Sequence, residues 1–147
     1  MIAVEPLTGA FQRNWAVGNR FVDDTSVNHM TTGRNKRSIA VDLKSPAGIA
    51  AIKKLIATAD VVMENFRPGT LDKLGLSEAE MRAVNPRIIY AATTGFGADG
   101  PFAKRPGQDV LLQAMSGLAA HTGSMEGGPV AVGSVPIDHH AAALTVA

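Results

Sequence analysis

Ser38-Ile39-Ala40-Val41-Asp42-Leu43-Lys44-Ser45-Pro46, followed by a second apolar run at Asp60-Val61-Val62-Met63, decides the fold. Ile39, Val41 and Leu43 alternate with their neighbours at the two-residue period of a strand. Ser45 carries a side-chain oxygen suited to cap a helix. Pro46 suits the first helical position, where its missing N–H is no loss. Ile49, Ile52, Leu55, Ile56 and Ala59 then recur at helical spacing and define one apolar face. Farther along, Pro68-Gly69 turns the chain, and Leu71, Leu74 and Leu76 mark a short helical segment. Ser77 with Glu80 three residues later forms a capping box. That helix is expected to stop at Asn85-Pro86, because the residue before a proline is steered away from helical geometry. Ile88 to Thr93 reads as a third strand. Strands and helices alternating through short links predict right-handed βαβ units, hence an α/β fold with an open parallel sheet flanked by helices.

The flanks are less regular. Met1 to Val4 reads as the end of a strand and Pro6 to Gly9 as a turn. Beyond Gly95 the chain becomes glycine-rich, with most of its 15 glycines. There Asp109 to Ala120 reads as one helix, with Val110, Leu111, Ala114 and Leu118 on a face. Ala141 to Ala147 reads as the body of a last helix.

Composition narrows the function classes. The 147 residues are 46% hydrophobic, enough for a real core. Fourteen Lys and Arg nearly balance 13 Asp and Glu, mixed along the chain. A nucleic-acid-binding protein would carry a basic patch or stripe instead. Without cysteine there are no disulfides or thiolate metal sites. No apolar run is long enough to cross a bilayer. The N-terminus lacks a signal-peptide layout, so a cytoplasmic protein is expected.

Three features could carry chemistry. Gly95-Phe96-Gly97-Ala98-Asp99-Gly100 matches G-x-G-x-x-G after a strand. The dinucleotide fingerprint also needs a helix opening at the glycines and an acidic residue about 20 positions on. Pro101, Lys104, Arg105 and Pro106 follow instead, so a glycine-rich loop at the carboxyl edge of the sheet is the better reading. Asp138 ends a stretch, Val110 to Ile137, whose only charged side chain is Glu126. By spacing it suits the N-cap of the last helix. His139 and His140 beside it point about 100° apart on a helix and so make a poor metal pair. Lys44, Arg67 and Lys73 sit at or soon after strand ends. Cations and free N–H groups near helix starts suit phosphate, although any one of them could be a solvated surface charge.

Taken together, these residues resemble a known family. Val4-Glu5-Pro6, Asn35 to Lys44, Glu64-Asn65-Phe66-Arg67-Pro68-Gly69 to Gly75, Asn85-Pro86-Arg87, Gly95-Phe96-Gly97 with Gly100-Pro101, and Gln113-Ala114-Met115-Ser116-Gly117 are similar, in that order, to the class III CoA-transferases. This family includes formyl-CoA transferase and carnitine CoA-transferase. The resemblance implies a Rossmann-type large domain without nucleotide-cofactor chemistry, and a homodimer of interlocked chains. It also implies that residues 1–147 are a partial large domain. The first strand and helix of the family would precede it, and a catalytic glycine loop and a small domain would follow. Such a piece alone is expected to be marginally stable and inactive.

The same resemblance implies a site. Asp138, in Gly133-Ser134-Val135-Pro136-Ile137-Asp138, matches the family's nucleophilic aspartate. Leu43, Lys44, Asn65, Phe66, Arg67 and Lys73 would line the CoA nucleotide and phosphates. Gln108 and Asp109 would lie near the acyl group. The implied reaction moves CoA between an acyl-CoA and a carboxylic acid through an aspartyl anhydride and thioester. CoA is then a substrate, with no permanently bound cofactor and no metal. Small residues or glycine are more usual in the family where His139 and His140 stand. The related α-methylacyl-CoA racemases have Gly-His-Asp where this chain has Gly107-Gln108-Asp109. A glutamine cannot exchange a proton at the substrate α-carbon, which favours transfer over racemisation. A non-catalytic remnant that binds CoA is the alternative of another class.

Overall fold

The computed structural model describes residues 1–146, and the chain forms two compact units, Met1–Ile52 and the residues from Lys53 onward.

In the first unit, β1 (Ile2–Glu5) is followed by the turn at Pro6, which Gly9 closes with φ 80° by donating to the Pro6 carbonyl at 2.8 Å. A hairpin comes next, β2 (Phe21–Val22) and β3 (Thr25–Ser26). Its two linking residues, Asp23 and Asp24, have φ 45° and 61°. Two consecutive left-handed residues give the turn whose twist matches the strands. Ser26, fully buried, accepts the His29 N–H and caps α1 (Val27–Thr32). The chain then returns as β4 (Arg37–Ala40), parallel to β1 with Ile2 opposite Arg37 and Glu5 opposite Ala40. The strand is shorter than the expected Ser38–Leu43, but Val41 N–H still donates to the Glu5 carbonyl.

The helix α2 (Pro46–Ile56) starts where Ser45-Pro46 places it. The Ser45 hydroxyl accepts the Gly48 N–H at 3.0 Å and donates to the Asp42 carbonyl at 2.9 Å. Gly48 is required, since a Cβ there would collide with that same carbonyl.

Glu5 anchors this unit. Its carboxylate is 6% exposed and accepts from Arg13 Nε (2.7 Å) and Nη2 (2.8 Å), from the Ser38 hydroxyl (2.6 Å) and from the Ala10 N–H (2.9 Å). The two Arg13 bonds form a fork-to-fork pair, the stronger kind of charged contact. The network joins the β1 end, the following turn and β4.

The second unit is built on β5 (Val61–Glu64) and β6 (Ile89–Ala92), parallel and in register from Val61–Ile89 to Glu64–Ala92. Their connection carries α3 (Thr70–Lys73) and α4 (Glu78–Val84). Leu71, Leu76, Met81 and Ile88 are each less than 8% exposed, together with Ile56. Burying a side chain of this size is worth about 1.5–3 kcal/mol. The Ser77–Glu80 capping box forms as read: Ser77 Oγ accepts the Glu80 N–H and Glu80 returns a bond to the Ser77 N–H. The helix α4 stops at Asn85, and the buried Asn85 amide donates to the carbonyls of Ile56 (3.0 Å) and Ala59 (2.8 Å). It thereby satisfies acceptors that the end of α2 leaves open.

Two expectations are corrected. Asp109 to Ala120 is not one helix but α5 (Asp109–Met115) and α6 (Leu118–Thr122), broken where Gly117 takes φ 83°. The last helix, α7 (Pro136–Val146), begins three residues before the start at His139 that an N-cap at Asp138 implies. Pro136 occupies its first position, and His139 N–H donates to the Val135 carbonyl. Asp138 is therefore inside the first turn and is not the N-cap. Parallel pairing takes the form of two two-stranded ladders, β1–β4 and β5–β6, with helices alongside in sequence.

Its hydrogen bonds to Arg13, Ser38 and Ala10 hold the Glu5 carboxyl well below the usual glutamate range. A depressed acid stabilises the fold above its unfolded pKa, and that contribution is lost as pH falls below about 4. Glu5→Gln, which also leaves buried donors poorly matched, should lower unfolding stability at pH 7 by about 1–3 kcal/mol. It should also flatten the acid limb of a stability–pH curve measured by urea unfolding. Superimposable curves for the two proteins would contradict this role.

Candidate active site

The carboxyl ends of β5 and β6 open on a cleft of about 900 Å³, which α7 also lines. Open α/β folds bind ligands at such strand ends. Glu64, the last residue of β5, shapes the first wall. One of its oxygens accepts the Phe66 N–H at 2.6 Å and the other the Tyr90 hydroxyl at 2.9 Å. Burial first, and then Glu64 itself, push the Tyr90 phenol up to about 12. That hydroxyl therefore stays a donor. The turn held in this way presents Asn65, Phe66 and Arg67 to the cleft. It closes with the Thr70 N–H on the Arg67 carbonyl at 3.0 Å. Gly69, with φ 78° and ψ 3°, fills the position of a type II turn that needs a positive φ.

The second wall follows β6. The Thr94 hydroxyl is buried there without a hydrogen-bond partner among the described residues. Gly95 and Gly107 touch backbone to backbone, so closely that a Cβ on either would collide with the other. They pinch off the loop between them, which packs on itself. The Phe96 and Phe102 rings meet tilted at 58° with centroids 5.8 Å apart, and Arg105 lies over Phe102 at 4.6 Å. Arg105 reaches the cleft wall.

The third wall is α7, which contributes Asp138 and His140. Asp138 is exposed, and its backbone N–H donates to Asp109 Oδ2 at 3.1 Å. The Ile137 N–H donates to the same oxygen at 2.8 Å. Asp109 is 4% exposed and so serves as the missing cap of α7 from the start of α5. Its other oxygen accepts from the Gln113 amide. Desolvation, and then the neighbouring Asp109 charge, raise the Asp138 carboxyl above the ordinary aspartate value, while His139 opposes them.

Among the residues expected from the sequence, the cleft gathers Asn65, Phe66, Arg67 and Asp138. Lys73 ends α3 and is exposed, outside the lining. Gln108 is exposed and Asp109 buried, and neither lines the cleft. Leu43 and Lys44 belong to the first unit, after β4. There the Lys44 N–H donates to Asp42 Oδ1 at 2.9 Å. Sequence reasoning gave no role to Arg105 or Thr94. For Arg105 the signal was its place just before Pro106-Gly107. For Thr94 there was none.

The chain matches the profile of CoA-transferase family III along residues 1–147. It belongs to that family. It is 41% identical over 139 residues to the succinyl-CoA:glutarate CoA-transferase of Mus musculus, covering 94% of this chain and 31% of the mouse protein. It is 41% identical over 145 residues to the succinate–glutarate CoA-transferase of Agrobacterium fabrum, covering 94% and 36%. With the acetyl-CoA:oxalate CoA-transferase of Acetobacter aceti it shares 41% over 117 residues, covering 80% and 30%. Among solved structures, a CAIB/BAIF family protein from Brucella suis superposes with a TM-score of 0.87 at 34% identity, over 99% of this chain and 40% of that one. The hypothetical protein Rv3272 from Mycobacterium tuberculosis gives 0.81 at 33%, over 98% and 39%. The chain of this family member thus spans about a third of the length of the curated relatives it matches. No helix among its described residues is long and apolar enough to cross a membrane.

A carbon-13 titration of the aspartate side chains checks the electrostatics of the site. The Asp138 carboxyl should titrate above about 3.9, the ordinary aspartate value. A midpoint at or below that value would contradict the geometry described.

Proposed function

We propose that the protein transfers CoA between an acyl-CoA and a carboxylic acid, with Asp138 as the nucleophile. The observation that carries this reading is the position of the Asp138 carboxyl on α7. It is exposed in the lining of a cleft to which Asn65, Phe66 and Arg67 also contribute.

The Asp138 carboxylate attacks the thioester carbonyl of the acyl-CoA. The C–S bond breaks, leaving a mixed anhydride on the enzyme and CoA thiolate. The thiolate attacks the aspartyl carbonyl, releases the donor acid as carboxylate and leaves an aspartyl thioester. The acceptor carboxylate attacks that thioester, giving a second anhydride and freeing the thiolate again. Thiolate attack on the acceptor's acyl carbon forms the new acyl-CoA and restores the Asp138 carboxylate. The raised Asp138 pKa makes its ionised carboxylate a better nucleophile. Arg67 supplies a fixed charge for the CoA phosphates, and Phe66 an apolar surface for its nucleotide. Asn65 precedes them on the same turn, and Lys73, at the end of α3, adds positive charge. Gln108 stands where the racemase branch has histidine, and its amide cannot exchange a proton. This supports transfer. The relatives named for transfer of CoA from succinyl-CoA to glutarate and from acetyl-CoA to oxalate support small carboxylic acids, dicarboxylic ones among them, as substrates. A homodimeric, cytoplasmic enzyme follows from the same family reading.

In the full-length protein, Asp138→Ala should abolish CoA transfer, with a loss of about 10³-fold or more. It should also abolish the acyl-CoA-dependent adduct that mass spectrometry of the wild type locates on the Asp138 peptide. Arg67→Gln should raise KM for acyl-CoA with little change in kcat. Transfer at the wild-type rate by Asp138→Ala would sink the assignment.

A further inference from the structure

We infer that Asp109 and Gln113 are positioning residues for Asp138, acting through a buried hydrogen-bond relay of fixed polarity that grips the main chain rather than the substrate. The inference rests on the proposed role of Asp138. The two side chains lie one turn apart on α5, and they are the polar side chains buried on that helix, at 4% and 0% exposure. Gln113 Oε1 accepts the Val132 N–H at 2.8 Å. Gln113 Nε2 donates to Asp109 Oδ1 and reaches the Ser134 carbonyl at 3.4 Å. Asp109 Oδ2 accepts the N–H groups of Ile137 and Asp138. One end of the relay therefore holds the approach to α7, and the other holds the backbone of the nucleophile itself.

The polarity admits one assignment. The Val132 N–H can only donate, which turns the Gln113 oxygen toward it and the Gln113 NH₂ toward Asp109. All three groups facing Asp109 are then donors, so the position requires a side chain that accepts on both of its oxygens. An ionised carboxylate does so and an amide does not. Asparagine at 109 would set its own NH₂ against Gln113 or against the two backbone donors. Flipping Gln113 to meet it would only move the conflict to Val132. This accounts for the burial of an acidic side chain with no basic partner among its hydrogen bonds. Asp109, expected from the resemblance beside the acyl group, acts instead through the position of Asp138. The neighbouring Gln108 is not part of the relay.

The test uses Asp109→Asn, Gln113→Leu and the double variant in the full-length protein, with two readouts. Amide hydrogen exchange at Ile137 and Asp138 should be slow in the wild type and at least about tenfold faster in Asp109→Asn. The rate of acyl-CoA adduct formation at Asp138 should fall by about 10²-fold, the scale of a misplacement near 1 Å, while KM for acyl-CoA stays within about threefold. Because the groups act in series, the double variant should be no slower than the slower single one. Wild-type exchange and adduct rates in Asp109→Asn and Gln113→Leu would overturn the relay. So would a loss in KM alone. If the wild type forms no adduct at Asp138, the proposed function fails, and the exchange rates by themselves still decide whether the relay holds the backbone.

Discussion

The second unit turns on one carboxylate that cannot be seen from outside. Asp109 accepts two backbone N–H groups from the first turn of α7 and an amide hydrogen from Gln113. A helix starting at Pro136 leaves its early N–H groups open, and no residue of its own segment closes them through a side chain. Supplying the cap from α5 couples two helices far apart in sequence. It also fixes where Asp138 stands in the cleft. A buried, unpaired carboxylate would be costly, but three donors on two oxygens offset much of that cost. The arrangement sets apart two acids that lie close together. Asp109 is enclosed and engaged, whereas Asp138 is exposed and raised in pKa by desolvation and by Asp109. Neighbouring acids in such different surroundings are a common way to divide roles in a site.

The turn after β5, also in the cleft lining, uses the same device on a smaller scale. Glu64 spends both oxygens, one on the Phe66 N–H and one on Tyr90. An acidic residue at the end of a strand thus holds a turn, and the turn presents Asn65, Phe66 and Arg67. Glu5 does the equivalent in the first unit, with Arg13, Ser38 and the Ala10 N–H. In each case a carboxylate accepts at least one main-chain N–H together with a side-chain donor, and so ties a stretch of backbone to a distant element.

What was legible in the sequence was what short-range chemistry determines. Ser45-Pro46 marked the start of α2, and Ser77 with Glu80 marked α4 together with its cap. The parallel strands followed from their alternation, and the motifs placed the chain in its family. The relations that escaped are long-range or rest on backbone angles. Asn85 was readable as a helix stop, but not as the donor to the Ile56 and Ala59 carbonyls, because local pattern does not encode that separation. The helix expected over Asp109 to Ala120 is broken at Gly117 by a positive φ that the apolar pattern does not encode. Asp23-Asp24 gave no clear turn signal without glycine. Asp138 suited a cap by spacing, but Pro136 starts the helix earlier and Asp109 takes the capping task. Gln113 was visible only as a letter of a motif, since burial and partners are tertiary facts.

The central claim is that Asp138 carries the acyl and CoA groups covalently. A single turnover of the full-length protein, loaded as its CoA thioester and given an acceptor acid labelled with oxygen-18 in its carboxylate, tests it most directly. Attack of the acceptor on the aspartyl thioester, and cleavage of the resulting anhydride on the acceptor side, leave one labelled oxygen on the enzyme. Peptide mass spectrometry should find that oxygen in the Asp138 carboxyl. Its complete absence from Asp138, with transfer completed, would contradict the account.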